Sequence, residues 1–86
     1  MQKIYLIQYN VSEDTTLKEK IKALGPWMSY FNGFWLVETD KTAKEIYNTF
    51  ASEIPDKRIL ILEITIEDYW GWMPHDAWEW IKKRQK

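Results

Sequence analysis

Residues 24–40 read LGPWMSYFNGFWLVETD, two short aromatic runs on either side of Asn32-Gly33. Asn-Gly between apolar runs signals a hairpin, because both residues tolerate the positive φ of a type I′ turn. A two-residue turn at Asn32 and Gly33 is therefore expected to join a strand over 27–31 to one over 34–39. This hairpin forms the middle of the domain.

Upstream, residues 3–9, KIYLIQY, are rich in β-branched and aromatic side chains and read as a first strand. Ile4 and Leu6 fall on one side and Tyr5, Ile7 and Tyr9 on the other, the pattern of a central strand covered on both faces. The next segment, VSEDTTLKEK, opens with acids, and Thr16 and Glu19 stand at capping-box spacing. Leu17, Ile21 and Leu24 recur at i, i+4 and i+7. That spacing predicts a helix over 14–24, stopped by Gly25 and Pro26.

Downstream, Thr39 or Asp40 is expected to cap a second helix over 41–51, with Ala43, Ile46, Tyr47 and Phe50 inward. Residues 52–57 read as a loop containing Pro55. Residues 58–66, RILILEITI, read as a fourth strand, apolar on both faces through Leu62. With right-handed crossovers, the order predicts an α+β, ferredoxin-like βαββαβ domain with a four-stranded antiparallel sheet. Its first and third strands are central and both helices lie on one face. Asn10, ending the first strand, then lies near the Asn32-Gly33 turn and the start of the fourth strand at Arg58.

The chain, 1–86, is expected to be a single domain, with 68–86 as an aromatic C-terminal segment. That segment begins with the turn-like DYWGWMP and continues as a short helix. Pro74 suits its first turn, Asp76 its N-terminal end, and Lys82, Lys83 and Arg84 its C-terminal end, with Ala77, Trp80 and Ile81 inward. Two helices cover only one face of the sheet, so the other needs a second layer. The C-terminal segment could fold back to supply it, but a second copy of the sheet is the expected layer, making a homodimer with Ile4, Leu6 and Gln8 on the dimer face.

Eighty-six residues bury only about 60–65% of the surface their unfolded chain exposes, so the core is thin. Fourteen aromatic residues, six of them Trp, offset this and exceed what a small monomer needs. A net charge of −1 gives no global attraction for phosphate. The chain has no cysteine, which excludes disulfides, thiol nucleophiles and thiolate zinc sites and fits a cytoplasmic protein. The opening MQKIYLIQYN is too short in its apolar run for a signal peptide or a membrane span, so no targeting segment and no membrane partner are expected.

Few residues invite chemistry. His75, the only histidine, adjoins Asp76, but no Ser or Cys nucleophile stands in a motif beside them, and neighbours on a helix point in different directions. Glu63, Glu67, Asp68, Asp76 and Glu79 read as solvated charges that keep an aromatic chain soluble, with Glu63 expected to pair with Lys3. Trp70, Trp72, Trp78 and Trp80 crowd the tail. Base stacking could use them, yet acids surround them as far as Lys82, so packing and interface roles are favoured. Trp70, Trp72, Trp78, Lys82, Lys83 and Arg84 make up the candidate interaction surface, for a protein or a nucleic-acid partner. No cofactor is expected.

The runs YLIQYN, LGPW, FWLVETD and ILILEIT, with the aromatic C-terminal segment, resemble the SinR-like family over most of residues 3–80. That family is similar to the small ferredoxin-like CRISPR-associated adaptation proteins. The resemblance implies a dimeric binding or assembly module linked to nucleic acid or phage defence. The alternative is a metal-dependent endonuclease. In the CRISPR-associated relatives an Asp ending the first strand contributes to a metal site, and the position that matches it here is Asn10. An amide pair brings no negative charge to a divalent cation, and Glu13 and Asp14 nearby are explained by helix capping. A non-catalytic module without a metal is therefore the expectation.

Overall fold

The computed structural model describes residues 2–10, 15–50 and 58–85. Four strands, β1 (Lys3–Tyr9), β2 (Trp27–Phe31), β3 (Phe34–Thr39) and β4 (Ile59–Ile64), alternate with helices α1 (Thr15–Lys22) and α2 (Ala43–Phe50), and α3 (His75–Arg84) follows. The sheet is antiparallel throughout, in the order β2-β3-β1-β4, with β1 and β3 central. This α+β arrangement is compatible with a small ferredoxin-like fold carrying a third helix.

Alternation along β1 sorts the chain into two cores. Tyr5, Ile7 and Tyr9 point to one face, where they are buried with Trp35, Val37, Leu17 and Ile21 of α1, and Ile46 and Phe50 of α2. Ile4 and Leu6 point to the other face. There Met28, Leu36, Ile66, Ala77 and Ile81 form a second buried cluster. The chain's own C-terminal segment thus supplies a layer on this face, the fold-back that the sequence left open beside the expected second copy. Trp80, expected inward with Ala77 and Ile81, is only half-buried.

The hairpin forms where the sequence places it, with a different turn. In the turn only Gly33 is left-handed, at φ 71°, and no non-glycine residue among the described residues has positive φ, so a type I′ turn, which needs two such residues, is not formed. The register between β2 and β3 shifts between Met28 and Phe31, and Ser29 Oγ donates to the Phe34 carbonyl at 2.8 Å. An extra residue in β2 bends and twists the strand, so the turn itself need not supply the twist of a primed type.

The helix ends also differ in detail. Thr42, not Thr39 or Asp40, caps α2: the Glu45 backbone N–H donates to Thr42 Oγ1 at 3.2 Å and the Thr42 N–H to Glu45 Oε1 at 2.9 Å. This is a reciprocal capping box. Thr16 lies inside α1 and is not its cap, while the expected first residue, 14, lies outside the described residues, as does the expected loop over 52–57. Tyr47 sits at the margin of the α2 stripe and is exposed.

Candidate binding surface

Between β4 and α3 the chain runs without regular structure past Ile66, which is buried. Three contacts hold this run against α3. The Tyr69 ring stacks on Trp78 at 5.8 Å between centroids. Gln85 ties the start of the run to the end of α3, accepting from Tyr69 Oη and donating to the Glu67 carbonyl, both at 3.2 Å.

Tyr69 and Met73 pack against the second cluster, and the three residues between them are exposed. Trp70 is 100% exposed and Trp72 97%. Burying a ring of this size stabilises by roughly 4–6 kcal/mol, from about 150–250 Å² at about 25 cal/mol per Å². Two indoles on an anchored segment forgo all of it. Beside Trp70 lies a groove of about 500 Å³ lined also by Glu67, Asp68, Tyr69, Trp78, Lys82 and Gln85. Its rim is of mixed charge and its wall is aromatic.

The other residues of the sequence-derived surface are divided. Lys82 shares the groove with Trp70 and Trp78. Lys83 lines a separate depression with Lys22, Trp27 and Glu79. Arg84 turns inward. Its Nη1 donates to the Trp80 carbonyl at 3.0 Å, its Nη2 to Glu38 Oε1 at 3.4 Å, and its guanidinium carbon lies 4.0 Å from the centre of the Trp80 ring. The basic run therefore presents no continuous cationic track.

On the sheet, Ile4 and Leu6 of the candidate dimer face pack on the second cluster, while Gln8 is exposed. On the same face, Leu60 and Leu62 of β4 stand opposite Gln8 and Leu6 and are about half exposed, at 53% and 49%. Sequence reasoning missed this strip because an apolar strand reads as covered on both sides. It also missed the role of Gln85. The turn-like run DYWGWMP, in which Gly71 separates Trp70 from Trp72, was the available signal for the exposed indoles.

Asn10 directly follows β1, and its backbone N–H donates to the Arg58 carbonyl at 3.4 Å while the Tyr9 N–H donates to the Gly33 carbonyl at 2.9 Å. The expected meeting of Asn10, the hairpin turn and Arg58 is therefore present. A shallow groove here is lined by Gln8, Tyr9, Asn10, Arg58, Ile59 and Leu60, and its charged side chain is a cation. Among the described residues no group of three or more His, Asp or Glu could hold a metal ion, and Glu13 and Asp14 lie outside them. His75 pairs with Glu79 at 2.9 Å rather than with Asp76, on an exposed turn. Glu63 stands opposite Tyr5 in the β1–β4 register and makes no ion pair with Lys3.

No helix among the described residues is long and apolar enough to cross a membrane. Comparison with protein-family models, with curated proteins and with solved structures gives no significant match.

Proposed function

We propose that the chain is a non-catalytic, dimeric binding or assembly module of the SinR-like type, acting in the cytoplasm, and that it engages a protein partner through Trp70 and Trp72. The observation that carries this reading is the full exposure of two indoles on a segment that Tyr69 and Gln85 hold in place. Rigid exposed aromatics are the usual anchors of interface hot spots, because they bring large apolar area at little entropic cost. A protein suits this surface better than a nucleic acid, since Glu67 and Asp68 line the groove beside Trp70 and repel phosphate. Any link to nucleic acid or phage defence then runs through the partner. At the end of β1, Asn10 brings no charge for a divalent cation and Arg58 adds an opposing one, which supports a binding role over metal-dependent cleavage.

The test is selection of a random-peptide library on the immobilised full chain, followed by measured affinities of an enriched peptide. Trp70→Ser/Trp72→Ser is expected to weaken that peptide at least tenfold. Equal affinity for both chains, or a labelled single-stranded oligonucleotide that binds more tightly than any selected peptide, would overturn the reading.

A further inference from the structure

We propose that two copies of the chain pair antiparallel along β4, about a two-fold axis through Ile61, into one continuous eight-stranded sheet. The proposal rests on the reading of the chain as a dimeric module and says where the dimer forms. It begins from the hydrogen-bond parity of β1. The Asn10 N–H bonds toward β4 and the Tyr9 N–H toward the hairpin. In an antiparallel ladder hydrogen-bonded residues alternate, so even-numbered residues of β1 bond to β4 and odd-numbered ones to β3. Their opposites on β4 follow. Leu60, Leu62 and Ile64 turn their backbone groups toward β1, and Ile59, Ile61 and Glu63 turn theirs to the open edge.

The two edges of the sheet are treated differently. The β2 edge is broken by the shift between Met28 and Phe31, a common way of blunting an exposed strand. The β4 edge pairs with β1 without a shift, contains no proline or lysine, and carries Glu63 as its one charge. A flat, apolar, unbroken edge is a template for another strand.

Its sequence selects a second copy of itself. With Ile61 opposite Ile61 of the second copy, Ile59 falls opposite Glu63 at both ends, and every outward-facing residue of both strands gains an antiparallel partner. Moving the axis to Leu60 or Leu62 leaves one of the three outward residues in each strand without a partner in β4. The same register sets Leu60 opposite Leu62 of the second copy on the face that α3 partly covers. The two half-exposed leucines of each chain thereby cover one another. The two Glu63 carboxylates stay at opposite ends of the seam.

The chain has no cysteine, so crosslinking can read the register directly. Light scattering on the full chain is expected to give a dimer, and Leu60→Lys/Leu62→Lys a folded monomer. Mixing a Leu60→Cys chain with a Leu62→Cys chain under mild oxidation is expected to give at least tenfold more disulfide dimer than either alone. That mixture reads the register even if the lysine variant fails to fold. A monomeric full chain, a dimer that survives in a folded lysine variant, or crosslinking that is as strong in either single chain as in the mixture would overturn the proposal. A dimer lost in Trp70→Ser/Trp72→Ser would also overturn it. The two readings fail separately: a dimer that survives in a folded lysine variant removes the β4 seam and leaves the dimeric reading, a monomer removes both the seam and the dimer but not a partner surface that still binds the selected peptide, and a β4 dimer whose peptide affinity is indifferent to the tryptophans removes the partner surface alone.

Discussion

Arg84 lies with its guanidinium carbon 4.0 Å from the centre of the Trp80 ring while Nη2 reaches Glu38 Oε1 at 3.4 Å, joining the end of α3 to β3. The side chain is only 13% exposed, so both contacts act in a partly dry setting. Arg84→Ala would remove the cation over the ring, free the Trp80 carbonyl at the helix end and leave the half-buried Glu38 alone. A loss of about 1–3 kcal/mol in unfolding free energy is expected from urea denaturation. Arg84→Lys is expected to recover less than half of it, because an ammonium cannot both lie flat on the ring and reach Glu38. Full recovery by lysine would show that charge alone matters here.

Tyr9 and Trp35 carry the polar contact in the other core. Trp35 Nε1 donates to the Tyr9 hydroxyl at 3.0 Å, and both residues are buried between the sheet and α1 and α2. Tyr9→Phe preserves the ring but leaves the indole N–H without an acceptor in an apolar site. The expected cost is about 1–3 kcal/mol, and the Trp35 indole proton resonance should move. An unchanged stability and resonance would mean that the indole finds another acceptor.

Gly25 sits at φ 153°, and a Cβ there would collide with the Glu38 carbonyl oxygen. The Pro26 carbonyl accepts from the Glu38 N–H at 2.8 Å, so the two strands cannot separate to make room without losing that bond. Gly25→Ala is expected to cost about 2–3 kcal/mol by thermal or urea unfolding. Pro26→Ala, which keeps the carbonyl, should cost much less.

The elements were legible because their periodicities were strong: the alternation of Tyr5, Ile7 and Tyr9, the spacing of Leu17 and Ile21, and the Asn32-Gly33 pair. The sheet order followed from connectivity. What escaped was set by long-range packing. Trp78 and Trp80 look alike in sequence to Trp70 and Trp72, and only the docking of α3 separates the first pair, half-buried, from the second, exposed. Arg84 likewise reads as a helix-end cation, and its inward turn depends on Glu38, forty-six residues earlier. The bulge that displaced the primed turn depends on Ser29 meeting Phe34 across the hairpin, which local turn statistics do not encode.

The capping box of α2 has a titration signature. The Thr42 backbone N–H and, less strongly, its hydroxyl hold the Glu45 carboxyl below the usual glutamate range, with Lys41 and Lys3 adding to the effect. Because the folded value is the lower one, the contribution is complete above the unfolded value and is lost as pH falls through the folded one. The Glu45 carboxyl should therefore titrate by NMR below an ordinary glutamate. Thr42→Ala, which removes the hydroxyl but keeps the backbone N–H, should move it only part of the way back up and cost about 0.5–2 kcal/mol at neutral pH. Glu45→Gln should flatten the acid limb of stability, and an unshifted Glu45 would show that the cap is open in solution.

The exposed tryptophans predict a separation between stability and association. Trp70 and Trp72 contribute almost no buried surface, while Tyr69 and Gln85 anchor the segment independently of them. Trp70→Ser/Trp72→Ser should therefore leave the unfolding free energy within about 0.5 kcal/mol of the parent. The same change should raise the concentration at which the protein aggregates, since two large apolar rings leave the surface. Tyr69→Ser should do the opposite, because it removes the ring stacked on Trp78 and the hydroxyl bonded to Gln85. It should lower stability and loosen the run that presents the indoles. If the serine pair destabilised the fold by more than about 1 kcal/mol, the indoles would be packing in solution and would not be free to meet a partner.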